Sequence, residues 1–203
     1  MFIPKHFEIK NKDIIYDFIE RFSFATVFSQ NKGEPYATHL PLILNKDENS
    51  LYGHFARANG QWKDVEDKQV LVVFQGPHCY ISPSWYETTK AVPTWNYVAI
   101  HLYGMMEILE DDKVIFDSLN NLVNKYESPD SPYNLGTVEP SFIEGMSKGI
   151  VAFKIKITKI EAKAKLSQNH PVERQKLIIE QLEKTSNQEN IQVASLMREN
   201  LKN

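Results

Sequence analysis

Residues 53–62 read GHFARANGQW and place a histidine, an arginine, an asparagine and a tryptophan within nine positions. The guanidinium of Arg57 is a planar fork that matches phosphate oxygens bidentately, and backbone N–H groups in a Gly/Ala/Asn turn add donors. Small Ala56 and Ala58 let an anion approach the main chain, with Asn59 beside them. The competing reading is a strand-end arginine in a surface ion pair, and no local phosphate fingerprint decides between the two.

Three further stretches carry polar chemistry. In ATHLPL (37–42) strand alternation puts Thr38, Leu40, Leu42 and Leu44 on one face and His39 on the other with Ala37 and Ile43. His39 there serves either a ligand carbonyl or a neighbouring side chain. VPTWNY (92–97) combines the hydroxyl of Thr94, the ring of Trp95 and the carboxamide of Asn96, a set suited to a planar heteroaromatic or to anchoring a loop. In KAKLSQN (163–169) a strand end leading into a helix cap accounts for Asn169 well, and for Lys165 and Gln168 poorly. His39, His54, His78 and His101 fall at strand positions without i, i+4 spacing or an acidic partner nearby, so no metal site is expected. The nucleophile elbow, Walker loop, G-x-G-x-x-G and Ser/His/Asp arrangements are absent, and no catalytic residue is assigned.

The elements that must position these groups follow from periodicity. NKDIIYDFIERF (11–22) predicts a helix capped by Asn11, with Ile14, Ile15, Phe18, Ile19 and Phe22 as its stripe. Strands are expected at 24–29, 35–44, 51–57, 69–76 and on through HCYISP, 97–109 and 149–163, with a turn at NKGE. A loop at 82–93 carries Trp85 and Tyr86, a helix spans 111–127, and SPDSPYNLG is a linker within the domain. From Pro171 two charged amphipathic helices flank a TSNQ break. Hairpin-connected strands with few helices predict a mainly β, α+β fold: a small antiparallel barrel over 1–170 with peripheral helices, and a C-terminal helical hairpin over 171–203.

A chain of 203 residues with 42% hydrophobic and 24% charged residues buries a sizeable core without staples. Its single cysteine, Cys79, excludes an internal disulfide and reads as a buried apolar group. The net charge of −3 gives no basic field for nucleic acid. Neither a membrane span nor the long apolar core of a signal peptide is present, which places the protein in the cytoplasm.

Taken in order, MFIPKHF, ATHLPL, GHFARANGQW, GPHCYISPSWY, VPTWNY, AIHLYG and EAKAKLSQN resemble the PaiB family of bacterial FMN-binding proteins, described as negative transcriptional regulators. The likeness is collinear from residue 1 to about 170. It implies an FMN-binding split β-barrel related to pyridoxamine phosphate oxidases, and a homodimer with flavin at the subunit interface. It places Arg57 and Asn59 at the phosphate end with His54 nearby, and Thr38 and His39 along the flavin. Thr94, Trp95, Asn96, Lys165 and Gln168 would approach from the partner chain. A DNA partner follows from the resemblance alone. Two positions depart from the family pattern: Gly60 stands where proline follows the asparagine, and Ala162 stands where glycine is common, which would strain a backbone needing positive φ. The alternatives are a flavin-dependent oxidoreductase of the pyridoxamine phosphate oxidase-like class and a structural dimer that has lost its flavin.

Overall fold

Apolar residues at period two build seven strands: β1 (Phe24–Asn31), β2 (Glu34–Pro41), β3 (Ile43–Asn45), β4 (Ser50–Ala56), β5 (Gln69–Ile81), β6 (Thr94–Ile108) and β7 (Ile150–Lys165). In the computed structural model, which describes residues 1–202, they form one antiparallel sheet in the order β2-β1-β5-β6-β7-β4-β3. Five helices accompany it: α1 (Lys12–Arg21), α2 (Asp112–Tyr126), α3 (Pro140–Ser147), α4 (Val172–Glu183) and α5 (Gln188–Asn200). The chain divides into two compact units, and β5, β6 and β7 continue from one into the other.

One unit comprises Ile19–Phe74 and His101–Ile160. Its first hairpin turns at Lys32 and Gly33, both at positive φ (53° and 84°), which matches the right-handed strand twist. This sets the β1–β2 register at Asn31↔Glu34, Val27↔Thr38 and Thr26↔His39. Ala25 and Val27 point into the core, while Phe24 and Phe28 face outward. On the other flank β4 pairs with β7 (Gly53↔Phe153, His54↔Ala152), and Phe55, Phe153, Ile155 and Leu102 are fully enclosed. Gly104 of β6 lies so close to β7 that a Cβ there would stand 2.4 Å from Ile155 Cγ2 and 2.7 Å from the Lys156 carbonyl oxygen.

The other unit comprises Met1–Phe18, Gln75–Ile100 and the chain from Glu161 onward. Asn11 caps α1 by accepting from the Asp13 N–H at 2.8 Å. Ile15 and Phe18 are buried but Ile14 is 48% exposed, because it sits one residue off the core-facing stripe. The N-terminal stretch joins the sheet where Ile9 N donates to Ala162 O at 3.0 Å, and the Met1 ammonium pairs with Glu161. Ala162 is an ordinary buried strand residue of β7; the left-handed residues of the chain are elsewhere, so alanine carries no strain there. β5 continues through Pro77, which lies beyond the segment Leu71–Val73 that pairs with β1, so the missing N–H costs no bond to β1. Cys79 on this strand is 3% exposed. α4 and α5 pack through Ile178, Leu182, Val193 and Met197, and Arg198 grips Glu183 with two bonds at 2.6 and 2.7 Å.

Two strand boundaries and one helix differ most from the sequence reading. Thr94–Asn96 open β6 instead of closing the preceding loop, because Asn96 is drawn into the core. Leu42 separates β2 from β3, and its backbone N–H turns to the Ser23 carbonyl. Helix α3 was not anticipated: Pro140 opens it, but its Phe142 and Met146 are exposed, so no clean apolar stripe marks it.

Gly60 begins a short 3-10 turn, Gly60–Asp64, and Asn59 caps it by accepting from Gln61 N at 2.9 Å. Gly60 has no positive φ, and a Cβ built on it would meet nothing nearer than Asn31 Nδ2 at 3.9 Å. Asn59 before it has φ −72° and ψ 120°, the extended conformation that a following proline demands. Gly60→Pro is therefore expected to stabilise the protein by about 0.5–1 kcal/mol, read as a raised denaturation midpoint. A lowered midpoint would show that the turn needs glycine.

Candidate functional site

In the unit formed by Ile19–Phe74 and His101–Ile160, the sequence-predicted residues separate into two groups. Thr38 and Asn59 belong to an internal network. Thr38 Oγ1 donates to Gln61 Oε1 and accepts from Asn59 Nδ2 at 2.8 Å. Gln61 Nε2 donates to Val27 O at 3.1 Å and Ser29 Oγ at 2.9 Å. Gln61 is fully buried and ties the GHFARANGQW turn to β1. Sequence reasoning passed over it; the available signal was a polar residue two positions after an asparagine cap.

His39 is exposed, holds Thr26 Oγ1 at 2.8 Å through Nδ1, and stacks on Phe24 with ring centroids 6.5 Å apart. Arg57 donates from Nε to Lys148 O and from Nη2 to Ile150 O, both at 2.7 Å, while its own N–H reaches Gly149 O at 2.8 Å. Nη1 is left without a protein partner among the described residues, and Arg57 lines a cleft of about 1050 Å³ together with Trp62, Phe116 and Ile143. The surface-salt-bridge alternative for Arg57 is not what the structure adopts, since carbonyls hold it and no carboxylate does.

His54 Nδ1 is buried without a hydrogen-bond partner, and burial holds its ring below the ordinary value of 6.5. His170 is lowered too, first by burial and then by the charges of Arg174 and Lys165. As pH falls through about 6.5 the unfolded chain takes up protons that the folded chain resists, so stability is complete above that pH and is lost below it. The denaturant midpoint is expected to drop between about pH 7 and pH 5, and His54→Gln to flatten part of that slope. An identical slope in the variant would remove His54 from the account.

The second unit holds the other predicted residues. Lys165 Nζ donates to Thr94 Oγ1 and, at 2.6 Å, to Trp95 O, which pins the end of β7 to the start of β6. Burial, then the charge of Lys163, pulls the Lys165 ammonium down from its ordinary value. Asn96 is 0% exposed; its Nδ2 lies 2.9 Å from Ser167 Oγ and 3.5 Å from Met197 Sδ. Ser167 is itself buried at φ 64°, a left-handed conformation rare for serine. Gln168 staples that turn, accepting from Leu166 N at 2.7 Å and donating to Ala164 O at 2.6 Å. Trp95 faces outward, 52% exposed, tilted against His78 at 5.9 Å and edge-on to Tyr80 at 6.3 Å.

Thr94 and Lys165 also line a cavity of about 410 Å³ together with Tyr86, Lys90, Ser167 and Arg174. Arg174 lies over the Tyr86 ring at 4.9 Å and is gripped by Glu87 at 2.6 and 3.1 Å. The Tyr86 hydroxyl oxygen is buried and unpartnered, and burial raises its pKa. Lys90 and Arg174 carried no signal of their own in the sequence; the fold, not spacing, brings them to Lys165. No described helix is long and apolar enough to cross a membrane.

The family profile described as "Putative FMN-binding domain" matches residues 1–159. The chain is 45% identical over 206 residues to the Protease synthase and sporulation protein PAI 2 of Bacillus subtilis, covering 100% of this chain and 99% of that protein. It is 34% identical over 154 residues to an uncharacterized protein of Saccharomyces cerevisiae, covering 63% of this chain and 90% of that one. Among solved structures, the flavocytochrome Anf3 of Azotobacter vinelandii is similar with a TM-score of 0.62 at 15% identity, over 80% of this chain and 72% of that chain. The conserved hypothetical protein Rv2991 of Mycobacterium tuberculosis gives 0.60 at 12% identity, over 84% and 94%. At those identities the structures establish the fold, while the profile and the full-length relative establish the kinship. The chain belongs to the PaiB family of FMN-binding split-barrel proteins.

Proposed function

We propose that the protein is a cytoplasmic homodimer holding FMN at its subunit interface and acting as a PaiB-type negative regulator. The observation that carries the flavin site is Lys165: a cation fixed by Thr94 and Trp95 O, open to a cavity and without a carboxylate partner among the described residues. The donor set fits a phosphate-bearing aromatic group. Arg57 retains a free Nη1, Trp95 and His39 present exposed rings, and the buried hydroxyl of Tyr86 lacks a partner. In this reading Arg57 takes the phosphate, with His54 nearby and His39 along the ring. Trp95 and Lys165 come from the partner chain. Thr38 and Asn59 hold the Arg57 turn, and Asn96 and Gln168 hold the Lys165 strand end, because their polar atoms are engaged within the fold. FMN, when bound, supplies reversible electron transfer. This chain's residues bind it, orient it and limit its access to water.

Adding FMN to the purified protein is expected to produce the absorption bands of bound flavin, and sedimentation to give the mass of two chains. Arg57→Ala should weaken FMN binding roughly 10- to 100-fold, the value of a charge-assisted phosphate contact. Unchanged affinity in that variant would move the phosphate elsewhere, and no flavin binding by the native chain would overturn the reading. Regulation is tested by gel shift on promoter DNA at low salt, where the absence of salt-sensitive, sequence-preferring binding would exclude direct repression.

A further inference from the structure

Helix α3 is weak by its own composition. It has eight residues, carries Gly145 in its interior and buries none of its side chains. Phe142 and Met146 face outward, while Ile143 and Ser147 line the cleft of about 1050 Å³. So short a helix gains little from propensity, and an interior glycine weakens it further. Its place therefore depends on how its two ends are tied. The leading end follows a turn over Leu135–Thr137, whose Leu135 is buried. The trailing end is tied by Arg57. Nε donates to Lys148 O and Nη2 to Ile150 O, each at 2.7 Å, and the Arg57 N–H donates to Gly149 O at 2.8 Å. Carbonyls just past a helix end lack partners within the helix, and a cation there also complements the helix dipole. These bonds use Nε and Nη2 and leave Nη1 on the exposed side chain. The guanidinium is planar and rigid, so whatever fixes Nη1 also fixes the two nitrogens that hold the helix end.

We propose that Arg57 couples the flavin site to α3. An anion on Nη1 fixes the guanidinium, the guanidinium fixes Lys148–Ile150, and α3 is thereby held over the cleft. With Nη1 unoccupied the clamp opens more often and the helix end loosens. Flavin occupancy is in this way passed to the outward surface that carries Phe142 and Met146, which gives a regulator a face that differs between its loaded and empty states. Arg57 is here a positioning residue for α3. The proposal rests on the flavin reading, in which Arg57 takes the phosphate of FMN.

The test is hydrogen exchange read by mass spectrometry on the full-length protein, with and without saturating FMN. It is followed in peptides spanning residues 140–149 and, for reference, residues 188–200 of α5. FMN is expected to slow exchange in 140–149 by about three- to tenfold and to leave 188–200 unchanged. In the flavin-free protein Arg57→Ala should speed exchange in 140–149 about tenfold, since two charge-assisted bonds to that helix end are lost. Arg57→Lys keeps a cation for the phosphate but lacks the fork that spans both carbonyls. At FMN concentrations that fill its site, exchange in 140–149 should stay fast, and this variant keeps the test open if Arg57→Ala fails to fold. Bound-flavin bands with unchanged exchange in 140–149 would overturn the coupling and leave the flavin reading standing. A lysine variant that responds to FMN as the native chain does would overturn it as well, and native exchange in flavin-free Arg57→Ala would remove the clamp itself. Absence of bound-flavin bands in the native chain would break the flavin reading and the coupling together, while the flavin-free comparison still decides whether Arg57 holds α3.

Discussion

Gly104→Ala is expected to destabilise the protein by about 3 kcal/mol, the upper end of what one added methyl group costs in a closed core. The reason is the partner. At Gly104 the new Cβ would meet not a flexible chain end but the Lys156 carbonyl oxygen at 2.7 Å and its carbon at 3.2 Å, besides Ile155 Cγ2 at 2.4 Å. Relief requires β6 and β7 to separate, and every ladder bond between them resists that. For a chain of this length the loss reads as a fall of about 6–12 °C in the unfolding midpoint. A fall of only a degree or two would mean that the two strands separate easily. Gly60→Ala, whose new methyl group would meet only Asn31 Nδ2 at an ordinary 3.9 Å in the same unit, is the matched control.

Asn96→Ala should cost about as much by a different route. The carboxamide is fully enclosed and faces the Ser167 hydroxyl at 2.9 and 3.2 Å. Truncation removes packed atoms and strands that hydroxyl in a buried place, two penalties that together reach about 3 kcal/mol. Ser167 also bears a left-handed backbone, which persists only while its surroundings hold it. The decisive measurement is a double-mutant cycle in denaturant: Asn96→Ala with Ser167→Ala should cost markedly less than the sum of the two single changes. Additive losses would show the pair to be independent. Because Ser167 lines the cavity with Lys165, Asn96→Ala should also weaken any ligand held there.

Much of the fold was legible in the sequence because its signals are local. The NKGE turn, the strand alternation around Val27 and Leu40, the Asn11 cap and the paired tail helices each follow from a few neighbouring residues, and the structure bears them out. The resemblance likewise gave the family, since its motifs are collinear over most of the chain. Less legible was which polar side chain faces a ligand and which faces its own protein. Asn59 and Asn96 are alike in type and in motif position, yet one caps a turn and the other is enclosed beside Met197. That difference arises from segments far apart in sequence: Gln61 against β1, Ser167 against β6. Arg174 shows the converse. Read alone it belongs to the charged face of a tail helix, and only the folded chain sets it over Tyr86.

Cys79 has one more consequence. It is the sole thiol of the chain, it is buried, and burial, with the nearby charge of Glu189, pushes it up to about 12, so it stays protonated and shielded under ordinary conditions. An aromatic disulfide reagent can then react only with molecules in which β5 has momentarily opened around residue 79. The labelling rate, divided by that of a free thiol, is the equilibrium constant for that opening. The unaltered protein thus carries its own single-site gauge of local opening in this strand, with no second cysteine to confuse the reading.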